Sequence, residues 1–282
     1  MVKHIIPNSL KEALDYMDGH YTTIVAGGTD LMVQRRNWAE LPPTFTSDPV
    51  YVFHLSELNY VNEDDKNVYI GAVTPMSVLL DHPATPQLLK DAIAIIAAPG
   101  LRNMATIAGN IGNASPAGDS LPILYALDAL VRIQSKSQNS LLPIAQVIQG
   151  PRKTILDNNE LITEIVIPKD PFTFQMFRKV GGRKADAISK VSFTGSVRIE
   201  GKHVTDLRIA FGAVAPTVVR VRDIEMEYEG KTVKQLQQQV KSLQEAYATY
   251  IRPIDDQRSN KEYRMNVAMN LLEQFISSLK EE

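Results

Sequence analysis

The sequence predicts an α+β chain of two consecutive domains, residues 1–171 and 172–282. Three observations carry that expectation. Up to Ile167, short β-branched segments alternate with helical patterns. Pro168–Pro171 then interrupts the rhythm. Beyond it, three long strand patterns precede two helical ones, the order of an α+β layer. A chain of 282 residues has room for two units of about 100–200 residues.

In chain order, Ser9-Leu-Lys-Glu12 is a capping box, and Leu10, Ala13, Leu14 and Met17 share a helical face closed by Gly19. Thr22–Ala26 reads as a buried strand running into Gly27-Gly28-Thr29-Asp30 and the apolar Leu31–Val33. Trp38–Pro49 is proline-rich and irregular, and Tyr51–Leu55 and Val68–Ala72 read as strands. Thr74-Pro75 supplies an N-cap and N1 for a helix through Leu80. A helix over Gln87–Ala98 stops at Pro99-Gly100. Leu121–Ala129 reads as helix, and Leu130–Gln134 and Leu161–Ile167 as strands. In the second half Phe172–Val180, Ile188–Ile199 and His203–Val214 are strands, the last two joined by Glu200-Gly201-Lys202 as a hairpin. Helices follow over Val233–Tyr250 and Asn260–Leu279, the second opened by Ser259-Asn-Lys-Glu262.

Composition narrows the function. A net charge of −2 argues for neither nucleic acid nor a membrane surface as partner. No apolar run approaches the ~20 residues of a membrane-spanning helix. The N-terminus turns amphipathic and acidic at once, unlike a targeting peptide, so a cytoplasmic location is expected. There is no cysteine, which removes disulfides, thiolate metal sites, a cysteine nucleophile and iron–sulfur ligation from this chain. The five histidines are scattered without ligand spacing, so no metal site is expected. No catalytic side-chain constellation stands out either. The chemistry is expected to belong to a bound group.

Two stretches are bare enough to hold one. Ala105–Asp119 (ATIAGNIGNASPAGD) concentrates small residues, short amide and hydroxyl side chains and a terminal acid. Ile24–Asp30 (IVAGGTD) is a strand followed by a glycine turn, a setting in which exposed amides bind phosphate. A lone Gly-Gly equally marks a tight turn. A third stretch, Arg178–Lys190 (RKVGGRKADAISK), carries five basic residues around Gly181-Gly182. It reads as a solvated loop or as a basic segment facing an anionic or electron-rich ligand.

Together these segments resemble the FAD-binding subunit of the molybdenum hydroxylases, the group of xanthine, carbon monoxide, aldehyde and nicotinate dehydrogenases. VAGGTDL at Val25–Leu31 resembles that family's first flavin loop, and LRNMATIAGNIGNASPAGDSLP at Leu101–Pro122 its second. FRKVGGRKADAIS at Phe177–Ser189 is similar to its flavin-proximal loop. LRIAFGAVAPTVVR at Leu207–Arg220 and PIDDQRSNKEYR at Pro253–Arg264 resemble stretches of its C-terminal domain. Five motifs in the family's order cover nearly the whole chain. One departure is Ala108-Gly109-Asn110 where the family commonly has Gly-Gly-Asn; a methyl group fits there if φ is negative.

The resemblance implies a two-lobed FAD-binding domain of the vanillyl-alcohol oxidase type, with lobes at about 1–55 and 56–171, and an α+β C-terminal domain with a three-stranded antiparallel sheet. It implies that amides of Val25, Ala26, Gly27, Gly28, Thr29 and Asp30 hold the FAD pyrophosphate, and that Thr106, Gly109 and Asn110 meet phosphates and ribityl chain. Ser115 lies near the same loop, Asp119 accepts a hydrogen bond from the flavin or a ribityl hydroxyl, and Lys179 stands beside the isoalloxazine. From the residues alone, Asp119 also fits an N-cap and Lys179 a solvated surface. FAD is expected to be non-covalent, with molybdopterin on a large partner subunit and two-iron clusters on a small one. The implied function is to collect their electrons and reduce an acceptor, with NAD expected. A free-standing NAD(P)H-dependent flavin reductase and a flavin-free assembly module are the alternatives.

Overall fold

The computed structural model describes residues 2–184 and 186–281; Met1, Ala185 and Glu282 lie outside the described residues, Ala185 falling within the Phe177–Ser189 motif. The chain folds into two compact units. One comprises Met1–Pro86, Ala97–Ala114 and Asp128–Lys169, the other Gln87–Ile96, Ser115–Leu127 and Asp170–Glu282. The units are thus not simply the first 171 residues and the rest.

In the first unit, helix Leu10–Met17 begins as its capping box predicts, with Ser9 Oγ accepting from Glu12 N–H at 3.1 Å. β1 (Thr22–Val25) pairs in parallel with β2 (Asp48–Tyr51). Ala13, Leu14 and Met17 meet Val50, Val52 and Leu55 in one core. The strand expected over Tyr51–Leu55 therefore ends at Tyr51: Leu55 N–H donates to Val52 O at 3.0 Å and the chain turns. Then come β3 (Val61–Glu63), β4 (Asn67–Gly71), β5 (Leu130–Gln134), β6 (Asn139–Pro143), the short pair β7 (Ile148–Gly150) and β8 (Lys153–Thr154), and β9 (Leu161–Pro168). Five of these form a sheet in the order β3-β4-β9-β5-β6, every pair antiparallel. The sequence named only β4, β5 and β9. β6 is an edge strand with alternate residues exposed and Pro143 at its end, a weak pattern by itself. Thr74 caps nothing: its Oγ1 exchanges hydrogen bonds with the backbone of Tyr60, and Pro75 is the N-cap of helix Met76–Asp81.

In the second unit, β10 (Phe174–Val180), β11 (Val191–Glu200) and β12 (His203–Gly212) form the expected three-stranded antiparallel sheet, with Gly201 in the hairpin at φ +60°. Alternation sorts β11 into two faces. Phe193, Gly195 and Val197 face helix Lys261–Ser277, where a Cβ on Gly195 would stand 2.7 Å from the Phe275 ring. Ser192, Thr194 and Ser196 lie on the other face, all fully buried. There a Cβ on Gly212 would meet Ser192 Oγ at 2.4 Å and Pro122 Cγ at 2.7 Å, so small residues let helix Ser120–Ala126 lie close to the sheet. Arg208 Nη1 on the carbonyl of Ala126 at 3.1 Å, and Arg220 Nη1 on that of Tyr125, tie the end of that helix to this unit. The α+β class holds. Two details differ: the helix expected over Val233–Tyr250 is two, Val233–Gln238 and Val240–Ala248, broken at Gln239. The last helix takes Asn260, not Ser259, as its N-cap, with Asn260 Oδ1 accepting from Tyr263 N–H at 2.7 Å.

Candidate functional site

The first unit brings the two glycine-bearing stretches into contact. Val25 ends β1, its carbonyl taken by Val52 N–H at 3.0 Å, and the chain turns through Ala26–Thr29, all half-buried, to the exposed Asp30. Gly27 is obligatory for a reason outside its own loop: a Cβ there would sit 1.6 Å from the carbonyl oxygen of Met104. Gly28 adopts φ +68°, the left-handed region that favours glycine. A second tie links Gln34 Nε2 to Asn113 Oδ1 at 3.0 Å, while the same amide engages Asp30 Oδ2. Carbonyls of this turn are used, since Met32 N–H donates to Gly28 O and Gln34 N–H to Asp30 O. The amides of Gly27, Gly28, Thr29 and Asp30 donate to none of the described residues.

Ala105–Asp119 is not the open loop its composition suggests. Thr106 (φ −126°) is the N-cap of helix Ile107–Asn113, and its Oγ1 accepts from Gly109 N–H at 2.9 Å. The Asn110 amide bonds to Thr106 O at 3.1 Å. Thr106 is 3% exposed, and its hydroxyl oxygen is engaged in capping. Ala108 lies inside this helix, buried and without a positive φ, so its methyl is accommodated. Gly109 is exposed and Asn110 half-buried on the same turn. The helix ends at Ala114, at φ +46°.

The second unit holds the remaining expected residues. Ser115 Oγ accepts from Ala117 N–H at 3.3 Å within a turn. Asp119 stands at the N-cap position of helix Ser120–Ala126, but its side chain caps nothing. Instead Asp119 Oδ2 pairs with Lys179 Nζ at 2.8 Å, the two side chains 7% and 8% exposed. Ser189 Oγ donates to Asp119 Oδ1, and Lys179 Nζ also donates to Ile95 O at 3.2 Å. Neither bland alternative survives, because Asp119 is no cap and Lys179 is not solvated. Burial raises the Asp119 carboxyl above its ordinary value, against the pull of Lys179 and of the Lys179 and Ser189 hydrogen bonds. Sequence reasoning missed Met104, which acts through its backbone, and Ser189, which closed a quoted motif without being given a role.

A dinucleotide such as FAD needs unspent donors for its diphosphate. Four consecutive amides without acceptors among the described residues, beginning beneath a fixed backbone carbonyl, match that need. No helix is long and apolar enough to cross a membrane among the described residues.

Comparison with known proteins agrees with this chemistry. A family model described as the FAD binding domain in molybdopterin dehydrogenase matches residues 1–170. A second, described as the CO dehydrogenase flavoprotein C-terminal domain, matches 176–279. The glyceraldehyde dehydrogenase medium chain of Sulfolobus acidocaldarius is 28% identical, covering 94% of this chain and 93% of that one. The putative xanthine dehydrogenase FAD-binding subunit of Escherichia coli (strain K12) is 26% identical, covering 95% and 92%. Among solved structures, a chain of the carbon monoxide dehydrogenase from Hydrogenophaga pseudoflava superposes with a TM-score of 0.88 at 24% identity, covering 98% and 96%, a likeness of fold.

Proposed function

The chain belongs to the family of FAD-binding domains of molybdopterin dehydrogenases, an FAD-dependent oxidoreductase family, and on that premise we propose that it is the flavin subunit of a heteromeric molybdenum hydroxylase. Its partners in this reading are a molybdopterin-binding large subunit and a small iron–sulfur subunit. With no cysteine in the sequence, thiolate-held clusters have no ligands here. Bound FAD supplies the chemistry, taking up electrons from two-iron clusters and passing them on as hydride to an acceptor, NAD in our reading.

The observation that supports this most is the run of unspent amides at Gly27–Asp30. They bind the pyrophosphate, together with the backbone of Val25 and Ala26. Gly109 and Asn110 offer a polar, accessible surface for the phosphates and ribityl chain, and Thr106 holds the helix that carries them. Ser115 shapes the following turn. Lys179 provides positive charge that stabilises negative charge developing on the reduced ring. Asp119 aims Lys179 while Ser189 fixes the carboxylate. The test is purification of the native assembly through a tag on this chain. FAD released intact by heat or acid, molybdenum and iron in the complex, and NADH formed by the reduced complex are expected. Absence of molybdenum from the complex would overturn the assignment, and failure to form NADH would overturn the acceptor alone.

A further inference from the structure

Helix Lys261–Ser277 carries Lys261 and Arg264 in its first turn, the end where the helix dipole disfavours positive charge. Lys261 is exposed, but Arg264 is only 3% exposed. Burial of a guanidinium there is costly, so packing alone does not select it. Its contacts show what does. Nη1 donates to the carbonyls of Lys190 at 2.6 Å and Ala213 at 3.1 Å, and Nη2 to Asp256 Oδ1 at 2.8 Å. Nε is buried without a partner among the described residues, so the side chain is committed through its two terminal nitrogens.

The two carbonyls mark one end of the sheet. Lys190 immediately precedes β11 and Ala213 immediately follows β12, where Ser192 pairs with Gly212. Here the strands part, and both departing segments lead to the same carboxylate. Lys190 follows Ser189, whose hydroxyl is on Asp119. Ala213, held at φ +63°, donates its N–H to the carbonyl of Pro116 at 2.8 Å, in the turn that leads into Asp119. A planar fork with two terminal nitrogens holds two carbonyls and a carboxylate in one fixed geometry. We infer that Arg264 is a positioning residue, which sets the place of the Lys179–Asp119–Ser189 cluster by clamping the carbonyls of Lys190 and Ala213. The inference rests on the reading that Lys179 tunes a bound flavin.

The test uses the FAD-loaded assembly with Arg264→Met, Arg264→Lys, Lys179→Met and, as a control for a buried arginine brace elsewhere in the same unit, Arg208→Lys. Two quantities are measured: the flavin midpoint potential, and the rate of tryptic cleavage after the exposed Arg183. Losing charged hydrogen bonds at the loop's end should speed that cleavage about tenfold in Arg264→Met. Its potential should move in the same direction as in Lys179→Met, Arg264→Lys should fall between it and the parent, and Arg208→Lys should change neither. Parental cleavage and potential in Arg264→Met, or equal changes in Arg208→Lys, would overturn the inference. If Arg264→Met does not assemble, Arg264→Lys decides on the same readouts. An unmoved potential in Lys179→Met defeats the flavin reading instead, and the cleavage rate still decides on Arg264.

Discussion

The Gly27–Asp30 turn and the Asp119–Lys179 pair treat their polar groups in opposite ways. The turn leaves four backbone donors unspent at a half-buried surface, where water satisfies them until a ligand arrives. The pair buries two charges and spends them on each other, on Ser189 and on the Ile95 carbonyl. A preorganised anion cradle is cheap to maintain because nothing charged is desolvated. A buried ion pair contributes little net stability, since desolvation offsets attraction. On the function proposed above, the turn holds the cofactor and the pair tunes it.

The largest expected effect lies in the turn. Gly27→Ala places a methyl group where the Met104 carbonyl oxygen already stands, 1.6 Å away, and backbone cannot rotate aside as a side chain can. The two stretches must separate, and we expect a loss of about 4 kcal/mol or more in denaturant unfolding, with FAD no longer retained. Gly28→Ala is the sharper companion. Its Cβ meets only side chains, Met32 Cγ at 3.0 Å and Val25 Cγ1 at 3.7 Å, and its cost is the left-handed φ, about 1–2 kcal/mol. Equal losses at the two positions would show that local conformation, not the Met104 contact, makes the turn glycine-rich.

The pair is next. Asp119→Ala leaves Lys179 buried without its carboxylate and should cost about 3 kcal/mol, whereas Asp119→Leu combined with Lys179→Met should recover most of that. If the double variant is as unstable as the single one, the pair is a stability element and the contrast fails. Proton linkage gives an independent check. Burial raises the Asp119 carboxyl above its ordinary value, so between that value and the raised one the folded chain holds a proton that the unfolded chain has released. That contribution to stability is full below the ordinary carboxylate pKa near 3.8 and is lost as pH rises through the raised value. Asp119→Asn should therefore flatten the decline of stability with rising pH over that window.

What the sequence disclosed follows the range of the forces involved. Local signals were legible: the Ser9 capping box, the β11–β12 hairpin with Gly201 at positive φ, and the strand–glycine order at Val25–Asp30. Helix Ile107–Asn113 was not, because Gly109 and Gly112 have poor helix propensity and the segment reads as loop. Tertiary packing overrides that: Ile107 and Ile111 are fully buried and the helix rests on β9. The requirement for glycine at 27 was hidden because it is imposed by a main-chain atom distant in sequence. The break at Gln239 carries no glycine or proline to announce it. Lys179 and Asp119 were both named for the flavin, yet spacing cannot reveal that two such residues meet each other.

The smallest effect tests the boundary between cradle and scaffold. Thr106 was expected to touch the cofactor, but its Oγ1 accepts from Gly109 N–H and caps helix Ile107–Asn113. Thr106→Ala should cost about 1 kcal/mol, the ordinary value of a lost cap. Thr106→Ser keeps the oxygen and should restore nearly all of it. Because Gly109 and Asn110 ride on the capped turn, FAD affinity should weaken in the alanine variant and recover in the serine variant, in step with stability. Titration of apo-protein with FAD beside an unfolding curve separates the two roles. If affinity falls much further than stability in Thr106→Ala, the hydroxyl touches the cofactor as well as the helix, and this stretch belongs with the groups that bind rather than with those that hold the binders in place.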